Sequence, residues 1–135
     1  MATVYLNCFE TDYVTCFVTV FHICSHPFVV GMSSRAMLSV IERAAVSRLP
    51  TVFHMDCTFK CNDNEFPVLV LGVTDAQQQF HPLSISVISH CNTDIYLKCL
   101  DAFKTIVAHV VPSMASFVPK YGMTDCELAE RYAIT

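Results

Sequence analysis

Two aspartates define the chemistry this chain could do. Asp56 stands in the middle of the strand-like run TVFHMDCTFK, and Asp125 closes the run KYGMTD. A carboxylate in an apolar strand is costly to bury unless it is paired, hydrogen-bonded or bound to a cation. Asp56 is therefore either an acid tied to a neighbouring turn or a ligand. Asp125 has a structural role open to it as well, because Thr124-Asp125-Cys126-Glu127 is a capping box that starts a helix. His54 lies two residues from Asp56 and shares its face, where it either touches a substrate or is a structural histidine. Asp75 and His81-Pro82 read as turn and hairpin residues.

The cysteines offer a second chemistry to weigh. Cys57 and Cys61 are four apart and Cys24 lies between His22 and His26, but there is no C-x2-C pair. Cys91, Cys99 and Cys126 have no histidines at finger spacing, so the pattern argues for thiols in the core rather than for zinc. No cysteine stands in a recognisable nucleophile context.

The elements that must position these groups follow from periodicity. Ser33 and Ser34 offer an N-cap, and Met37, Val40, Ile41 and Ala44 recur at helical spacing, which predicts a helix over about 34–48, closed by Pro50. From 51 to 60 the period switches to two, with Phe53, Met55, Cys57 and Phe59 on one side and Val52, His54, Asp56, Thr58 and Lys60 on the other. CNDNE at 61–65 is a turn. Phe66 to Thr74 is almost continuously apolar, which predicts a central strand covered on both faces. A third strand is expected over Phe80 to Ser89. Asn92 or Thr93 then caps a helix whose stripe is Ile95, Cys99, Ala102, Phe103, Ile106 and Val110, ended by Pro112. Lys120 to Thr124 reads as a fourth strand, and Leu128, Ala129, Tyr132 and Ala133 begin a last helical pattern. The order from 51 is β-β-β-α-β-α, and after a crossover helix the fourth strand is expected to lie parallel to the first. Residues 1–50 form a poorly defined N-terminal segment apart from their helix, and its first 32 residues are irregular or strand-like.

Composition narrows the function classes. The 135 residues make one domain. With 53% apolar and 15% charged residues, the chain either buries nearly everything or lacks a partner that would cover it. A net charge of −4 with scattered bases gives no general pull toward nucleic acid. Glu10 and Asp12 stand where a secretory n-region would be basic, so secretion is not expected and the eight cysteines fit a reducing nuclear or cytoplasmic setting. The apolar stretch 14–32 is interrupted by His22, Ser25, His26 and Pro27, so no membrane span is expected.

The phrases HMDCTFK, FPVLVLGVTDAQQQFHPLSISVIS and YGMTDCELAERYAI, in that order over residues 51–134, resemble the core of Mutator-like-element (MULE) transposases. That resemblance implies an α/β, ribonuclease-H-like DDE/D core with a mixed sheet over residues 51–135. It implies two-metal phosphoryl transfer on DNA with Mg²⁺ or Mn²⁺, in which Asp56 would bridge the ions and Asp125 would hold one of them. The family also uses a third acid on a later helix. Glu127 and Glu130 are too close to Asp125 to be that acid, and Glu127 fits the family's Asp-x-Glu helix start. The resemblance is thus to a core incomplete at its C-terminus, a transposase fragment or remnant expected to be inactive by itself. The competing expectation is a non-catalytic module that self-associates or binds a protein partner through an uncovered apolar surface.

Overall fold

A computed structural model describes residues 3–5, 15–20 and 27–124, the first two segments as backbone only. Strands β1 (Thr3–Tyr5), β2 (Thr15–Val20), β3 (Val29–Ser33), β4 (Val52–Thr58), β5 (Val68–Thr74), β6 (Phe80–Ile88) and β7 (Tyr121–Thr124) form one mixed sheet in the order β1-β2-β3-β6-β5-β4-β7. Helices α1 (Arg35–Ser47) and α2 (Thr93–Val110) complete an α/β architecture. Strands β4, β5 and β6 make the antiparallel meander expected from the alternation. After α2, β7 returns parallel to β4, pairing Val52 with Tyr121 through Met55 with Thr124.

The helix termini form where the sequence supplies caps. The Ser34 hydroxyl accepts from the Met37 amide at 3.1 Å, and Arg48 closes α1 in the left-handed region at φ 54°, its amide donating to the Ala44 and Ala45 carbonyls. The Asn92 side-chain oxygen accepts from the Ile95 amide at 2.9 Å, and Asp94 lies in the first turn of α2, complementing its dipole. Pro112, which has no amide to continue the ladder, opens a 3-10 turn at Pro112–Met114 instead. The two helices are tied together where Arg35 donates to the Val110 carbonyl at 3.0 Å.

Both helices pack on one face of the sheet. Leu38 and Ile41 of α1 and Ile95, Tyr96, Cys99, Phe103 and Ile106 of α2 share a core with Val29, Phe53, Met55, Leu69, Leu71, Val73, Leu83 and Ile88. Because Val29, Leu38 and Ile41 belong to that core, the elements before residue 50 and those after it are built on the same sheet.

The second strand of the meander begins at Val68 rather than Phe66. The reason is local: Asn62 engages both backbone groups of Phe66, donating to its carbonyl at 2.7 Å and accepting from its amide at 3.0 Å. Pro67 then has no amide to offer a ladder. Nor is β5 covered equally on both sides. Leu69, Leu71 and Val73 are buried beneath the helices, whereas Val68 and Val70 on the opposite face are only half-buried. No helix among the described residues is long and apolar enough to cross a membrane.

Candidate functional site

The period-two pattern of β4 sorts its side chains as the spacing predicts. Phe53, Met55 and Cys57 enter the core, while Asp56 and Thr58 are exposed on the opposite, open face and His54 is half-buried there. The ladder carries that face across the sheet. Asp56 pairs with Val70, Val70 with Ile85, and Ile85 with Met32, so the carboxylate ends a row of apolar side chains. Val30, Met32, Phe80, Ile85, Tyr121 and Met123 are the exposed large hydrophobics of this face. An aspartate here remains in contact with water and avoids the desolvation cost of a buried acid.

The parallel pairing of β7 brings the other sequence-predicted region to the same strand. Met55 and Thr124 are its last described pair, and Asp56 follows on β4. Asp125, next in the chain after Thr124, lies outside the described residues, as do Glu127 and Glu130. Among the described residues, no three His, Cys, Asp or Glu side chains come together as a group able to hold a metal. Of the two aspartates singled out by the sequence, Asp56 is the one that lies among the described residues.

His54 is engaged structurally. Its Nε2 shares a hydrogen bond of 2.7 Å with the Thr74 hydroxyl, and its ring meets Phe80 edge-on at 5.8 Å. Phe80 in turn covers Gly72, the residue paired with His54. The β5–β6 register shifts between Leu71 and Gly72, a bulge that hydrophobic alternation did not signal.

The turn that leads into β6 is held by Asp75. Its Oδ1 accepts from the amides of Gln77 and Gln79, both at 2.9 Å, and its Oδ2 lies 2.8 Å from His81 Nε2. The His81 hydrogen bond, then that of the Gln79 amide, holds the Asp75 carboxyl below its ordinary value of 3.8. A folded-state value below the unfolded one gives stability that is present above the unfolded value and lost as pH falls through the folded one. An Asp75→Asn variant is therefore expected to lose less stability than the parent as pH falls below about 4, read from urea unfolding at each pH.

Sequence reasoning did not find the approach of Cys57 to Cys91, whose sulfurs lie 3.5 Å apart across 34 residues of chain. Spacing rules recognise cysteines that are near in sequence, and these two meet only because β4 and the start of α2 share the core side of the sheet. Comparison of the chain with family models, with curated proteins and with solved structures gives no match.

Proposed function

We propose that this domain is a ribonuclease-H-like core of Mutator-like transposase descent, whose ancestral role was metal-dependent cleavage and transfer of DNA strands. The observation that supports the reading most is the pairing of β7 parallel to β4 beside an exposed Asp56. In the sequence Asp125 directly follows Thr124, as Asp56 follows Met55, and Met55 and Thr124 are partners in that register. Two carboxylates so placed, together with DNA phosphate oxygens, would be the kind of donor set Mg²⁺ or Mn²⁺ takes, since such ions are held by one or two carboxylates and by substrate phosphates. The meander, the crossover helix and the parallel return support the same reading from the fold side.

Binding of Mn²⁺ to the intact chain, measured by titration with a short DNA duplex present, tests the proposal. A weak Mn²⁺ site that loses at least about tenfold in affinity in Asp56→Asn is the expected result, because removing one charged ligand from a sparse oxygen site leaves little to hold the ion. Equal Mn²⁺ binding by parent and variant would refute the assignment of Asp56. Since Asp56 is exposed, the variant keeps its fold and the comparison stays clean.

A second reading, a non-catalytic module that pairs with another protein or with itself, is favoured by the exposed Met32, Ile85 and Val30 on the same face of the sheet as Asp56. Sedimentation of the same samples separates the two: a monomer with no partner argues against the module.

A further inference from the structure

Cys57 is the last core-facing residue of β4, only 9% exposed, and pairs with Leu69 of β5. Cys91 is half-buried in the turn that precedes the Asn92 cap of α2. Cys57 is held in the β4–β5 ladder, Cys91 directly precedes the capping Asn92, and their sulfurs lie 3.5 Å apart. A disulfide needs the sulfurs at about 2.05 Å, so the pair must close by about 1.5 Å to bond.

We propose that Cys57 and Cys91 form a reversible disulfide, a covalent modification site that straps the Asp56 strand to the N-terminus of α2. The oxidant is a disulfide of the glutathione class. The more exposed Cys91, as thiolate, attacks one sulfur of glutathione disulfide; its S–S bond breaks, a mixed disulfide forms and one glutathione thiolate leaves. Cys57 then gives up its proton and attacks the Cys91 sulfur, forming the Cys57–Cys91 bond and releasing the second glutathione. The pair loses two electrons and two protons, and glutathione disulfide gains them as two thiols. Closing the intervening loop, which contains the whole β5–β6 hairpin, removes conformations from the unfolded chain. Cys99 behaves differently, because burial pushes its thiol up to about 12 and leaves no thiolate to react at neutral pH.

The test uses the full chain equilibrated in buffers of rising glutathione disulfide content, then alkylated, digested and mapped by mass. Cleavage after Arg48, Lys60, Glu65 and Lys98 puts Cys57 on residues 49–60, Cys61 on 61–65 and Cys91 on 66–98, so the bond is identified without ambiguity. The expected result is a linked pair of the first and last of these peptides, with a Tm raised on the order of 10 °C over the reduced chain. A Cys91→Ser variant is expected to lose both the link and the Tm gain. The proposal is overturned if Cys57 and Cys91 are alkylated equally in reduced and oxidised samples, if a glutathione adduct persists on Cys91 without resolution, or if the Tm gain survives in Cys91→Ser.

Discussion

Replacing Phe103 by Ala is expected to lower stability by about 3–5 kcal/mol, the range for removing a large aromatic side chain from a core. Phe103 is 3% exposed in the middle of α2, and its ring lies against Phe53 of β4 at 6.3 Å with an interplanar tilt of 41°. The contact joins the crossover helix to the strand that carries Asp56. Because α2 connects β6 to β7, its seat on the sheet also determines where β7 can return. A domain of this size has roughly 5–15 kcal/mol of stability in total, so the loss is a large fraction of it. The urea midpoint should fall by on the order of 2 M. Phe59→Ala is the control: Phe59 is 56% exposed beyond the end of β4, and its removal is expected to cost no more than about 0.5 kcal/mol. Equal midpoints for the two variants would show that the Phe103–Phe53 contact does not hold the helix to the sheet.

Much of this arrangement can be read from residue order because local chemistry and tertiary packing agree. Ser34 and Asn92 are good caps, and they cap. The alternation of β4 sorts Met55 inward and Asp56 outward, and Asn62 makes the turn its side chain is suited to make. The apolar run of β5 is a different case. A strand with one face under helices and one face in a row of half-buried side chains reads the same as a strand covered twice, since hydrophobicity does not say what lies above a residue. The site is legible only in part for a related reason. The face on which Asp56 lies and the parallel return of β7 follow from periodicity and crossover rules, whereas the engagement of His54 by Thr74 depends on a cross-strand register displaced by a bulge. The Cys57–Cys91 contact is set wholly by tertiary structure.

That bulge supplies the second large effect, and here strand propensity and packing oppose one another. Valine favours a strand over glycine by up to about 1 kcal/mol, so propensity alone makes Gly72→Val stabilising. The structure gives the opposite sign. A Cβ at position 72 would be driven onto the Phe80 ring and would come within 2.9 Å of the His81 carbonyl oxygen. The ring can move, since Phe80 is 51% exposed, but the carbonyl is backbone beside the register shift and has no such freedom. Gly72→Val is therefore expected to cost about 3 kcal/mol, at the upper end for overpacking. The two sources of strain separate in a double-mutant cycle with Phe80→Ala. Removing the ring should recover part of the loss, and what remains belongs to the His81 carbonyl. His54 gives an independent readout, because Phe80 displaced by the valine no longer meets its ring edge-on, and the His54 proton resonances should shift accordingly. A Gly72→Val protein as stable as the parent, with unshifted His54 resonances, would mean that the backbone at the bulge relaxes and that Gly72 is not needed for the close approach of Phe80 to the open face.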